Sequence, residues 1–411
     1  MARNQELADR FGTPLYIYDL DRVTASYRDL RNSLPPGLTI FYSLKANPHP
    51  DIARALLHAE RWPSARAEVS SVGELAVALE VGFAPEDCLY TGPGKTESEL
   101  VTAIVSGVRT FSVESLTDLE RAGSVAIRLG AVIDCLLRIN SDSAAAATSI
   151  RMMGKPSQFG IDSETLHTEL PRLRAVPGTR LVGAHFYSLS NARDEQSLIG
   201  ELQQSVTTAA RLHAEFSLPM RILDLGGGFA APYAVPGERP IYSRMRFELG
   251  DTLDASFPGW RSGSPQVACE SGRYLVGDCG ELVSTVTNIK ESRGHKFVIL
   301  DAGINTLGGM AGLGRLMPLA VELDEPGDAE AATLAGPLCT PGDILGRNVR
   351  LNTLKVGDTV TVPNVGAYGV TASLLLFLSR PAPREVVVRG EEILTVSQLR
   401  THRTTADEAW N

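Results

Sequence analysis

The sequence predicts an α/β architecture, a (β/α)8 TIM-like barrel followed by a smaller C-terminal β domain. Three observations predict it. At 411 residues the chain is long for one compact core and comfortable for two domains. Between about residues 31 and 275, apolar β-type runs alternate with amphipathic helical runs, and eight strand-like runs can be counted. Beyond residue 276 helical periodicity fades, and short β-type runs follow one another across Gly, Pro and Asp turns.

The barrel elements read in order. LTIFYSLKAN is a strand and PDIARALLHAE a helix; ARAEVSS is a strand and VGELAVALEVGF a helix. DCLYTG leads to TESELVTAIVSG, and RTFSVES to LTDLERAGSVAIRLG. VIDCLLRIN, LVGAHFYS, RILDLGGG and QVACESG complete the set, with the long helix RDEQSLIGELQQSVTTAARLHAEF between the sixth and seventh strands. A doubly wound open sheet is the alternative, but eight parallel-type strands in a row favour closure. In the last third, LVSTVTNI, KFVILDAG, DTVTVPNV and EVVVRG read as strands. TPLYIYDL lies outside the barrel count and is free to pair into the β domain. The expected domains are residues 1–30 (an N-terminal strand and linker), 31–275 (the barrel) and 276–411 (the β domain). The small, polar stretch NSDSAAAATSIRMMGKPSQ follows the fifth strand and reads as a mobile loop over the barrel mouth.

Composition narrows the function classes. Hydrophobic residues make up 43% and charged residues 21%, as in ordinary globular proteins. With 39 basic against 48 acidic residues the net charge is −9, which argues against nucleic-acid binding. The N-terminus lacks an apolar signal core, and TASLLLFLS is far too short to span a bilayer. The five cysteines are scattered with no CxxC pair, so neither a metal site nor a disulfide framework is expected. A reduced, cytoplasmic protein is the simplest reading.

In a barrel, functional groups collect where strands end and the following loops begin. Lys45 ends the first strand, Arg138 the fifth, and Tyr187 and Ser190 follow the sixth. Gly226, Gly227 and Gly228 end the seventh; Glu270, Gly272 and Arg273 end the eighth. Each alone has a plain reading: a lysine that buries its stem, a flexible turn, an ion pair. Together they form a chemical set. A lysine amine forms an imine with an aldehyde cofactor. Glycines leave backbone N–H groups open to a phosphate, and Arg273 can add a bidentate contact. A carboxylate such as Glu270 can keep a pyridine nitrogen protonated, and Tyr187 can stack on the ring.

The ordered series TPLYIYD, YSLKAN, EVSSVGEL, LLRIN, SQFGID, LDLGGGF, ESGRYLV, GPLCTPGD and GAYG runs along nearly the whole chain. It resembles the fold-type III decarboxylases that depend on pyridoxal 5'-phosphate, the diaminopimelate, ornithine and arginine decarboxylases, with an alanine racemase-like architecture. The resemblance implies that Lys45 carries the cofactor as a Schiff base. Gly227, Gly228, Arg273, Ser190 and Tyr368 would surround the phosphate, and Glu270 would face the pyridine nitrogen. Glu68 and Glu74 match acidic positions near the cofactor. Cys339 would reach across a homodimer interface into the partner's site, with Thr340 and Asp343 beside it on the substrate side. Without that context Cys339 reads as a small buried hydrophobe.

Departures from the family pattern bear on specificity. Tyr187 stands where a cofactor-stacking histidine is usual, Leu189 where a glycine precedes the phosphate-binding serine, and Ser271 where a proline is usual. Thr340 follows the cysteine where diamine-forming enzymes often have an acid. DAGINTLGGMAGLGRLM lacks the arrangement with which diaminopimelate enzymes grip a carboxylate. The resemblance is nearest to a branch that decarboxylates a glutamyl group on an acyl carrier protein, with relatives in exopolysaccharide and natural-product clusters. The leading expectation is decarboxylation of an L-amino acid or carrier-bound amino-acyl group. The alternatives are racemisation, which Glu270 argues against, and a non-catalytic homologue acting through a protein partner.

Overall fold

The computed structural model describes residues 2–59, 63–141, 156–192, 194–308, 321, 323 and 330–404. The chain forms two compact units. One comprises Met1–Arg22, Pro232–Glu238 and Gly277–Asn411, the other Val23–Ala231 and Arg239–Val276.

In chain order, helix α1 (Ala2–Phe11) and strand β1 (Leu15–Asp19) open the first unit, and α2 (Leu20–Ser33) leads into the second. The second unit then alternates strand and helix: β2 (Thr39–Ser43), α3 (Pro50–Leu57), β3 (Arg66–Val69), α4 (Val72–Val81), β4 (Cys88–Tyr90), α5 (Glu97–Val105), β5 (Thr110–Val113), α6 (Leu116–Arg128) and β6 (Ile133–Asn140). It continues with the short β7 (Ile161–Asp162), α7 (Leu166–Arg174), β8 (Thr179–His185), α8 (Glu195–Phe216), β9 (Ile222–Asp224), α9 (Met245–Ser256), β10 (Gln266–Ser271) and α10 (Arg273–Val276). The strand order β5-β4-β3-β2-β10-β9-β8-β6 returns from β6 to β5, so the expected barrel closes, and β7 adds to β6 at its edge. Every pairing within it is parallel.

Local chemistry explains the boundaries. Ser71, Ser115 and Asp194 accept hydrogen bonds from the third backbone N–H of α4, α6 and α8, and Thr96 and Glu99 form a reciprocal capping box on α5. The caps on α4 and α6 stand at short βα turns, so these helices start three residues after their strands end. Phe41, Leu89, Leu136, Val182 and Ala268, from five barrel strands, pack into one cluster. The strands are buried on both faces, which is why they read as near-continuous apolar runs.

The first unit carries the remaining strands: β11 (Gly280–Ser292), β12 (His295–Leu300), β13 (Glu330–Ala335), β14 (Ile344–Leu351), β15 (Thr359–Val362), β16 (Arg384–Arg389) and β17 (Glu392–Gln398). They form a sheet of order β14-β13-β12-β11-β1-β16-β17, with β15 paired to β11. The TPLYIYDL segment supplies β1, antiparallel to β11 and parallel to β16. Leu15, Ile17, Val283, Val386 and Val388 bury one face under Leu7 and Ala8 of α1. The loop expected over the barrel mouth lies, for residues 142–155, outside the described residues.

Candidate active site at the strand ends of the barrel

Six barrel strands bring a buried polar side chain to their C-terminal halves: Glu68 on β3, Ser112 on β5, Arg138 on β6, His185 on β8, Asp224 on β9 and Glu270 on β10. Parallel pairing sets them side by side, with Arg138 opposite His185 and His185 opposite Asp224. Strand interiors are otherwise apolar, so a polar layer at one end requires compensation among its members.

Lys45 enters this layer from a 3-10 turn, Leu44–Ala46, directly after β2. Its Nζ lies 3.2 Å and 3.1 Å from the two carboxylate oxygens of Glu68. The lysine side chain is 37% exposed and that of Glu68 only 1%, so the amine is reachable while its counter-ion is fixed. Ser70 and Thr91 donate hydroxyl hydrogen bonds to the same carboxylate. Glu74 accepts the backbone N–H of Ser70 at 2.7 Å, and burial raises its pKa. Another buried lysine, Lys95, is occupied by Asp118 at 2.7 Å and by the Gly92 carbonyl.

Arg138 pairs with Glu114 at 2.9 Å, and Glu114 also accepts the N–H of Gly160 at 2.6 Å. The half-buried Tyr187 ring has two cations near it: Lys45 Nζ is 5.5 Å from its centroid and the Arg138 guanidinium 5.7 Å.

The three glycines after β9 are required sterically. Gly226 and Gly228 have φ of 74° and 116°, which favour glycine. A Cβ at 226 would lie 2.1 Å from the Phe186 carbonyl, and one at 227 would lie 2.7 Å from the Glu270 carbonyl. A Cβ on Gly272 would meet that of Ala46 at 2.8 Å, so the turn before Arg273 packs against the one bearing Lys45. Arg273 is buried at the start of α10, Ser271 is buried beside it, and Ser190 is half-buried after β8.

His185, Asp224 and Glu270 form a group of mutually perturbed titratable side chains. His185 Nε2 is 3.0 Å from Glu270 Oε1, and His185 Nδ1 shares a 2.7 Å hydrogen bond with Ser112 Oγ. Asp224 Oδ1 accepts the N–H of Gly226 at 2.9 Å. Burial disfavours the imidazolium, but the neighbouring Glu270 and Asp224 carboxylates outweigh it and raise the His185 pKa. Burial also opposes the Glu270 carboxylate, yet His185, then Lys45 and Arg138, hold its pKa well below the usual range. Asp224 is pushed up by burial and by the negative Glu270.

The other sequence-selected residues belong to the first unit. The Cys339 thiol is exposed. Thr340 Oγ1 accepts the N–H of Gly342 at 3.3 Å. Asp343 is buried and accepts the N–H groups of Ile304 and Leu338 at 2.8 Å and 2.7 Å. Thr340 and Asp343 line a cleft of about 260 Å³ with Leu338 and Phe297. Tyr368 has a left-handed φ of 53°, and its carbonyl accepts the Tyr233 hydroxyl at 3.1 Å.

A family model described as pyridoxal-dependent decarboxylase, pyridoxal binding domain, matches residues 20–277. The chain belongs to this family of decarboxylases. It is an enzyme whose cofactor is pyridoxal phosphate. It is 33% identical over 396 residues to the L-glutamyl-[BtrI acyl-carrier protein] decarboxylase of Niallia circulans, covering 93% of this chain and 90% of that one. It is 32% identical to the diaminopimelate decarboxylase of Methanothermobacter thermautotrophicus, over 96% and 91% of the two chains. Among solved structures, the Helicobacter pylori diaminopimelate decarboxylase complexed with L-lysine superposes with a TM-score of 0.81 at 26% identity, covering 95% of each chain. The decarboxylase therefore has the expected fold-type III architecture.

Sequence reasoning missed His185, Asp224, Ser112 and Glu114. His185 and Asp224 each stand at the end of an apolar strand run, in LVGAH and RILD, the position that singled out Lys45 and Arg138. The neighbouring Tyr187 and the glycine run drew the attention instead. Ser112 and Glu114 sit in RTFSVES without a motif and were not legible.

Proposed function

We propose that this enzyme removes the α-carboxylate of an L-amino acid whose side chain is neutral or conjugated, including an amino-acyl group on a carrier protein. Lys45 carries the reading: a reachable amine at a barrel strand end, against a buried carboxylate, among polar groups fixed by six strands. The residues present fit the cofactor. An amine meets its aldehyde, and the Gly226–Gly228 cradle, which a Cβ would fill, suits its phosphate together with Arg273 and Ser190. Tyr368, from the β unit, would complete the phosphate site as in the family.

Bound pyridoxal phosphate supplies an electron sink for the pair released when the Cα–carboxylate bond breaks. Glu270 would hold a proton on the ring nitrogen, for which a charged carboxylate is needed. Tyr187 would cover one ring face and keep water from it. Carbon dioxide leaves, and a proton is delivered to Cα, from Cys339 of a partner subunit or from a water it orients. The assembly would be a homodimer with shared sites, working in the cytoplasm in a biosynthetic role. Among the described residues no helix is long and apolar enough to cross a membrane.

The side-chain preference rests on charge. A distal ammonium buried without an anionic partner is costly. Thr340 offers a hydroxyl, and the acid of the CTPGD segment, Asp343, spends its carboxylate on two backbone N–H groups. The name of the Niallia circulans relative supports a carrier-linked substrate. Borohydride reduction followed by peptide mapping tests the cofactor site, and carbon dioxide release from free and carrier-bound amino acids tests the substrate. The expected results are an adduct on Lys45 and turnover of a masked side chain. An adduct elsewhere, or efficient turnover of free lysine, ornithine or diaminopimelate with carrier-bound substrates ignored, overturns the reading.

A further inference from the structure

We propose that His185 is a positioning residue: anchored by Ser112 on one side, it holds Glu270 as a charged carboxylate for the cofactor's ring nitrogen. The inference rests on the role given to Glu270 above and adds the group that makes it possible.

A carboxylate inside a barrel favours its neutral form unless a cation faces it. Glu270 is 2% exposed, and its strand neighbours in QVACES are apolar or uncharged. The contact that compensates it is His185, 3.0 Å away and 1% exposed. Its second nitrogen meets the Ser112 hydroxyl at 2.7 Å. A doubly protonated ring thus has an acceptor at each end, a hydroxyl on β5 and a carboxylate on β10. A neutral ring would leave Glu270 without that charge.

The groups facing the ring agree. Glu270 on β10 is the main charge favouring the imidazolium, Asp224 on β9 adds to it only while ionised, and Arg138 on β6 opposes it. Glu270 also feels Lys45 and Arg138, and Asp224 feels Glu68. Two carboxylates and one imidazolium are most easily buried when one carboxylate is protonated. Of the two, Asp224 takes up a proton more readily, since burial and the negative Glu270 raise its pKa while His185 lowers that of Glu270. The trio is then neutral overall, with the negative charge placed on Glu270.

Two experiments on the full-length holoenzyme test this. First, 15N-histidine NMR of the wild type, with His185 assigned by its loss in His185→Gln, should show both ring nitrogens protonated at about pH 7. A neutral imidazole there overturns the inference whatever the activity of the variant. Second, His185→Gln keeps an N–H donor toward Glu270 but removes the charge. Its kcat should fall at least about tenfold with KM within about twofold, as for a contact used mainly in the transition state. The acid limb of its pH–kcat profile should move up by about one pH unit, because Glu270 then protonates more readily. A purely structural role would lower the amount of folded enzyme and leave that limb in place. If cofactor still maps to Lys45 and the limb does not move, the His185 inference fails and the proposed function stands. If the wild-type adduct is not on Lys45, the proposed function fails.

Discussion

Tyr187 shows how one side chain changes meaning with its surroundings. It occupies the place of a usual stacking histidine, and its ring lies near the cationic ends of both Lys45 and Arg138. A histidine there would bring a titratable charge near two cations, whereas tyrosine brings a π face that both favour. The histidine of this segment is two residues earlier, at the end of β8, where it meets Glu270. Stacking on an aromatic ring contributes about 0.5–1.5 kcal/mol. Tyr187→Phe should therefore keep cofactor affinity within about threefold, and Tyr187→Ala should weaken it by up to about tenfold. Equilibrium titration of the apoenzyme with pyridoxal phosphate checks this, and equal affinity for Phe and Ala would remove Tyr187 from the cofactor face.

At the scale of elements, the strands divide buried charge in two ways. The barrel groups its charges and compensates them. Strand β16 instead buries Glu385, which accepts the Tyr18 hydroxyl at 3.2 Å. Burial pushes its pKa up to about 7, although the Tyr18 hydrogen bond pulls the other way. The folded protein thus binds this proton more tightly than the unfolded chain does. Stability falls as pH rises from the ordinary glutamate range, about 4.5, through about 7, and then levels off. Glu385→Gln, which removes the titration, should be more stable than the wild type above about pH 7. The gain is on the order of 2–3 kcal/mol before relaxation, and it should vanish near pH 4. Thermal melts of both proteins across pH 4–8 measure it, and a difference independent of pH would refute the assignment.

At the scale of the whole molecule, the proposed shared site sets Cys339 of one subunit to work beside Lys45 of another. The exposed Cys339 thiol suits a residue that works on a partner's substrate. Co-expressed Lys45→Ala and Cys339→Ala chains should then form hybrid dimers with one intact site. About a quarter of wild-type activity should return at equal expression, given random pairing of subunits into symmetric dimers. Mixed dimers isolated with two different tags and showing no activity would exclude a shared site.

The sequence by itself determined the barrel, the switch to a β domain and the candidate lysine. These depend on periodicity and on strand-end position, and both are local properties of the chain: FYSLKAN ends an apolar run in a lysine whether or not the barrel has closed. The glycine run was legible only as a flexible turn until it was set beside the other strand ends, and the close approaches that require it are tertiary. Only the tertiary structure decided what the charged strand ends do to one another. Ser112, His185 and Glu270 lie on three separate strands, 73 and 85 positions apart along the chain, and nothing local to any of them specifies the other two. Their coupling arises when parallel pairing and barrel closure bring them within hydrogen-bond distance in a medium without water. There a nearby charge decides which form of each group is stable, and sequence spacing carries no information about that distance.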